Sequence, residues 1–268
     1  MRVVNHLLVL SVAASVASSC CTDAAASQIA SLQASFSPER LGAATTINFG
    51  FQISSIPEGS SLPLTNVNVF LPNEMGLATS GLGLENCVRA RLEESGPQAC
   101  PPGSLMGRGV ASATIPFEGE AVVESAQIEV FSARVQDGRL ALMVYANALR
   151  PVFAQLVFPA TIVPAAPPYG EGVDTTVPLV PTVPGAPDVA VTHFRMALGA
   201  TPSGPDHFVY YRSVHGRRVA YSPRGLLLPP ACPAGGFPFK AQFTFQDHSV
   251  ATAHTTVPCP GHTRRHGG

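Results

Sequence analysis

Apolar and polar side chains alternate with period two along much of this chain. Ile47, Phe49, Phe51 and Ile53 alternate with polar or small residues, and so do Val67, Val69 and Leu71. That spacing describes strands with one buried face. Pro57-Glu58-Gly59-Ser60-Ser61 is turn chemistry and predicts a hairpin joining the two runs. A second hairpin is expected from Ala126–Val135 and Leu140–Ala148 around Asp137-Gly138, a dipeptide suited to the positive backbone dihedrals of a type I′ turn. A third joins Phe208–Val214 to Arg217–Tyr221 at His215-Gly216, setting Tyr210 opposite Tyr221 and Arg212 opposite Val219. A fourth joins Phe237–Phe245 to Val250–Val257 near Gln246–Ser249, with Phe239, Phe243 and Phe245 as core candidates.

Helical spacing is convincing once. Leu84, Val88 and Leu92 recur every four residues and Gly96-Pro97 stops the run, which predicts one short helix near residues 84–95 with Cys87 inside it. About a dozen strands separated by regular turns predict an all-β fold, an antiparallel β-sandwich over residues 27–260. It forms one domain or divides within 159–188. Pro178, Pro181, Pro184 and Pro187 recur there at every third residue, the period of polyproline II. In an exported chain this reads as an extended edge segment that discourages strand pairing; the alternative is an SH3-type ligand.

The N-terminus reads as an address. Met1–His6 carries Arg2 and no acid, Leu7–Ala17 is apolar, and Ala24-Ala25-Ala26 supplies a cleavage site before Ser27. Residues 1–26 therefore read as a secretory signal peptide, too short to span a bilayer. Ala17-Ser18-Ser19-Cys20 resembles a bacterial lipobox, although its first position prefers leucine, and it offers lipidation at Cys20 as the competing route. The last residues, 261–268, read as a disordered tail.

Cysteine usage agrees with export. Cys87, Cys100, Cys232 and Cys259 remain beyond the leader. An even count in an oxidising compartment implies two disulfides. Three connectivities are open, and nearest-neighbour pairing, Cys87–Cys100 and Cys232–Cys259, is the expectation. Zinc is disfavoured because no C-x-x-C pair is present.

Composition narrows the function classes. Of 268 residues, 46% are hydrophobic and 12% charged, which excludes a disordered, highly charged chain. The net charge of −1 gives no electrostatic footprint for nucleic acid. That balance hides an asymmetry: residues 23–188 hold 15 acids and 7 bases, residues 189–268 hold 2 acids and 8 bases. The two parts either attract one another or turn the basic part toward an anionic surface. No apolar run after the leader is long enough for a transmembrane helix.

Catalytic motifs are missing. The sequence has no G-x-S-x-G elbow, H-E-x-x-H helix, phosphate loop or S-x-x-K. Glu118 and Glu120 flank Gly119 in a predicted solvated turn, and Glu93 and Glu94 suit the exposed end of the helix. His248 and His254 would share a strand face but lie about 20 Å apart at the rise of a strand, too far to chelate one ion. No catalytic residue, metal site or cofactor is assigned. The most distinctive surface is the basic hairpin, where Tyr210, Arg212, Arg217 and Tyr221 share a face that could bind an anion. Charge on a hairpin edge also protects against aggregation.

Several phrases together are recognisable: Ser37-Pro38-Glu39-Arg40-Leu41-Gly42 leading into TTINFGFQI, ATSGLGLENC at 78–87, ACPPGS at 99–104, DVAVTHF at 188–194, and CPAGGFPFKAQFTFQDHS with VPCP at 232–260. The chain resembles an uncharacterised family of exported, β-rich proteins from high-GC actinobacteria over residues 35–260. Relatives often carry glycine where this chain has His248. The resemblance implies export and disulfides, and no reaction. The expected function is a non-catalytic protein with a structural or binding role in the cell envelope, partnered by a wall or envelope component. A secreted hydrolase with a site assembled from distant residues is the alternative. An enzyme should show a concave pocket with converging titratable groups; a binding module should show a flat patch near Tyr210 and Arg212.

Overall fold

Alternating positions become strands throughout. The computed structural model describes residues 27–75, 85–117, 120–136, 139–149, 153–182, 188–199, 210–221 and 226–260. The strands run β1 (Ser27–Ser37), β2 (Ala44–Ile56), β3 (Leu64–Pro72), β4 (Leu105–Phe117), β5 (Glu120–Gln136), β6 (Arg139–Ala148) and β7 (Ala154–Pro164). They continue with β8 (Tyr169–Thr176), β9 (Ala190–Leu198), β10 (Tyr210–Val214), β11 (Arg217–Tyr221), β12 (Leu226–Leu227), β13 (Phe237–Phe245) and β14 (Val250–Val257). One short α-helix, α1 (Arg89–Ser95), precedes β4.

The all-β class holds, but the sandwich does not. Among the described residues twelve strands form one antiparallel sheet in the order β1-β2-β9-β4-β5-β6-β7-β8-β3-β13-β14, with β12 paired to β2. The sheet curls until β1 packs beside β14, giving a nearly closed barrel. The physical reason for the error is simple. Alternation reveals which face of a strand is buried, but one curled sheet and two stacked sheets bury the same face.

Two of the expected hairpins form as such, β10–β11 and β13–β14, and the first of these has its expected register. In β10–β11, Tyr210 pairs with Tyr221 and Arg212 with Val219. The turn residues His215 (φ 50°) and Gly216 (φ 76°) supply the positive dihedrals that a tight hairpin needs. In β13–β14, Phe237 pairs with Val257 and Thr244 with Val250. The β5–β6 pair also forms, with Gln136 opposite Arg139 and Asp137-Gly138 between them outside the described residues.

The first predicted hairpin does not form. β2 pairs with β1 and β9, while β3 pairs with β8 and β13. Turn chemistry at 57–61 marks where the chain leaves β2, and the next partner lies across the barrel. His248 sits in the last hairpin turn at φ 67°, a conformation glycine adopts without strain, and so does not share a strand face with His254.

The helix is shorter than expected and Cys87 precedes it. The Cys87 amide donates to the Ser132 carbonyl of β5 (2.8 Å), which diverts it from helical pairing. Leu92 is fully buried. Arg89 Nη2 donates to the Val157 carbonyl (3.2 Å) and Gln155 Nε2 to the Glu93 carbonyl (3.4 Å), so α1 lies along the outside of β7. Glu93 also pairs with Arg89 (2.6 Å) at exposed positions. Leu84 lies outside the described residues, as do the leader with Cys20, Glu118-Gly119, and the tail.

Both expected disulfides are present, Cys87–Cys100 and Cys232–Cys259. The first closes the segment carrying α1, and the second ties the ends of the β13–β14 hairpin.

Phenylalanine fills one side of the barrel. Every second residue of β13 from Phe237 to Phe245 is fully buried, while Lys240, Gln242 and Thr244 face outward. The Phe51 ring lies between Phe194 (5.1 Å, stacked) and Phe243 (4.8 Å), and Phe36 meets Phe237 edge-on at 5.3 Å. On β1 and β2, Leu32 pairs with Phe51 and Phe36 with Ile47, all buried. Polar positions such as Asn48, Gln52 and His254 lie outside. Apolar inside and polar outside is the reverse of the pattern of a transmembrane barrel. Among the described residues no helix is long and apolar enough to cross a membrane.

Two stability outcomes follow. Phe243→Ala should lose about 3–5 kcal/mol by deleting a ring from a filled interior, whereas Val123→Ala at an exposed position should change stability by about 0.5 kcal/mol or less. Urea unfolding of the two variants checks the contrast. Replacing Cys232 and Cys259 together by serine should cost about 2–5 kcal/mol in the same measurement.

Candidate functional site

The other side of the barrel is lined differently. Inward positions of β4 to β7 include Ala111, Ala113, Ala126, Ala146, Ala154 and Ala160. The period-two geometry of a strand puts these on the face that Phe243 occupies across the barrel. An alanine fills less of the enclosed space than a phenylalanine, and the deficit remains open. The result is an interior chamber of about 360 Å³, within the range of small-ligand sites.

Glycine helps to shape its wall. A side chain at Gly109 of β4 would collide with the Arg195 carbonyl of β9, so only glycine lets these strands approach this closely. Val144, Leu156, Phe158 and Val173 add larger apolar surface to the wall. Among the described lining residues the polar ones are Glu124, Thr175 and Thr182; histidine, serine and cysteine do not reach the chamber.

The proline-rich stretch completes the wall. Beyond β8 the chain stays extended, with the Val177 amide donating to the Thr65 carbonyl (2.9 Å) and the Val189 amide to the Val180 carbonyl (3.0 Å). Val177, Pro178, Val180 and Pro181 face the chamber. The described part of this stretch is therefore an inner strap and not an outer sheet edge. Val177, Pro178 and Val180 are half-buried and Leu179 and Pro181 exposed, so the strap runs along the margin of the chamber, where prolines leave no amide hydrogen to satisfy. Pro184 and Pro187 lie outside the described residues.

Register locates the strap end of the chamber. Ala126 pairs with Ala148, Ala148 with Ala154, and Glu124 with Ala113, which sets these residues at one end of the wall. Glu124 is buried, on the same face as Ala126, Ile128 and Val130. Glu171 lies toward the opposite end of the barrel, beyond the residues that line the chamber. Opposite Leu71 of β3 and Pro164 of β7, it follows the inward alternation of Val173 and Thr175. Its Oε2 is buried with no hydrogen-bond partner, and desolvation raises its pKa above the ordinary 4.5.

Neither arrangement expected from sequence describes this site. The chamber is concave, and among its described lining residues Glu124 is the titratable one. The basic hairpin is a separate two-stranded sheet in which Tyr210 pairs with Tyr221 and Arg212 with Val219, with Arg217 and Arg218 exposed. The side chains of Tyr210, Arg212 and Tyr221 lie outside the description. Sequence reasoning missed Glu124 and Glu171. The available signal was a carboxyl on an otherwise apolar strand face, as in Glu124, Ala126, Ile128 and Val130.

The chain was compared with protein-family models, with curated proteins and with solved structures, and nothing matches in any of the three. The site must therefore be interpreted from its own chemistry.

Glu171 gives a pH dependence. The folded state holds its proton at pH values where the unfolded chain has lost it, so stability falls as pH rises above the ordinary glutamate range. Glu171→Gln removes the buried charge. It should melt above the wild type at neutral pH and converge with it by about pH 4. Melting temperatures of both proteins across that window check the sign.

Proposed function

We propose that this chain is an exported, non-catalytic binding protein of the cell envelope that holds an apolar ligand inside its barrel. The observation that carries this reading is the chamber itself, a partly open apolar hollow where alanines stand in place of the phenylalanines used across the barrel. A void lined by hydrocarbon forgoes dispersion contacts that a guest of matching shape restores, and apolar cavities of this type stay dry and take up apolar molecules. Carbon skeletons are the matching chemistry.

Export is supported by the leader and by two disulfides, which persist in oxidising compartments. The binding reading is supported by the wall, which among the described residues offers apolar side chains with one carboxyl and two threonines.

The test is fluorescence titration with N-phenyl-1-naphthylamine, an apolar dye that brightens when shielded from water. The wild type should show saturable enhancement at one dye per chain. Ala146→Phe, which extends a ring into the chamber, should weaken binding by about tenfold or more without lowering the melting temperature, since it fills space that is open. Absence of saturable enhancement, or full binding by a stably folded Ala146→Phe, overturns the reading.

A further inference from the structure

Strand register locates where the aromatic side of the barrel stops. One inward tier runs from strand to strand as Phe51, Phe194, Ala111, Ala126, Ala148 and Ala154, each paired with the next across β2, β9, β4, β5, β6 and β7. Phenylalanine gives way to alanine between β9 and β4. Phe51 and Phe194 stack within 15° of parallel, with 5.1 Å between ring centroids, and Phe243 adjoins Phe51 at 4.8 Å.

Phe194 is the end ring of that series. Phe51 covers one of its faces, and Phe49, on the same strand as Phe51, approaches it at 63° and 6.4 Å. Both neighbours therefore stand on the β2 side. On the β4 side Ala111 offers a methyl group, which does not reach the height of a ring. Phe194 is half-buried although it points into the barrel, whereas Phe51 is buried. Neighbouring strands lie about 4.8 Å apart, close to the interval at which the two rings stack, so the place of a third ring falls above Ala111. That place lies in the chamber, which Phe194, Ala111 and Ala126 all line.

We propose that the ligand carries a planar aromatic ring system, seated face-on against Phe194 above Ala111. The assignment rests on the chamber being a binding site and adds the class of molecule it takes. Any hydrocarbon gains by leaving water for this wall. A planar aromatic guest gains the offset-stacking preference of two rings as well, about three- to tenfold in affinity beyond its area burial. A saturated ring or an alkyl chain has no π face to offer Phe194. Met196, two positions along β9 from Phe194, also borders the chamber and brings a polarizable sulfur that favours aromatic neighbours.

The experiment displaces N-phenyl-1-naphthylamine with two bicyclic hydrocarbons of one carbon skeleton, naphthalene and decahydronaphthalene, from the wild type and from Phe194→Leu. Loss of the ring should raise the dissociation constant of naphthalene about three- to tenfold and change that of decahydronaphthalene by less than about twofold. Comparing each compound with itself removes the difference in their hydrophobicity. If both constants shift alike, or neither shifts, the aromatic assignment fails while the chamber reading stands. If the dye binds and naphthalene does not displace it, the assignment fails in the same way. If the dye itself does not bind, the chamber reading has failed as well. Should Phe194→Leu not fold, nuclear Overhauser contacts of naphthalene in the wild type decide: contacts to the Phe194 ring and the Ala111 methyl support the seat, and contacts confined to other residues overturn it.

Discussion

A sheet that curls onto itself encloses a volume set by its strand number and tilt, and the inward side chains must fill that volume or leave it empty. This constraint organises the molecule. β13, β2 and β1 present phenylalanine, isoleucine and leucine inward, whereas β4 to β7 carry alanine at many of their inward positions. The two sides of one wall therefore differ in stiffness of packing as well as in content. The aromatic side makes a solid core of interlocked rings. The alanine side encloses the chamber.

Other features of the chain follow from supporting that unequal interior. β1 and β14 lie side by side, and the Cys232–Cys259 bridge ties the β13–β14 hairpin that forms that boundary. On the far wall, the Cys87–Cys100 segment lays α1 against the outside of β7, and Phe131, Met143 and Tyr145 are buried on outward positions of β5 and β6. The thin chamber wall is thus backed by a second apolar layer outside it. The strap closes the inside with residues that bring few polar groups. Stiffness outside and space inside together let a cavity persist where an unsupported wall would collapse onto the void.

Local features were the legible ones. The β13–β14 hairpin could be read because turn residues and strict alternation agree over the whole segment, and the β10–β11 register because a two-residue turn leaves no freedom. The disulfides were legible from an even count and short separations. Closure was not. β1 is built from serine, alanine and glutamine, whose alternation is faint, so the partner of β2 was not visible and a β2–β3 hairpin was expected in its place. The chamber was invisible for a deeper reason. Each inward alanine is unremarked on its own strand, and the deficit exists only when β4, β5, β6 and β7 are brought to face the phenylalanines. Glu124 and Glu171 acquire meaning by the same route, as carboxyls on faces that turn out to be interior.

The central claim is that the chamber is occupied by an apolar molecule in the protein's working state. Native mass spectrometry of the chain purified from its host without detergent tests it most directly. The account predicts a complex carrying one small-molecule adduct per chain, released on denaturation and extracted into organic solvent. A native mass equal to the denatured mass, retained after exposure to host lipid extract, would contradict it.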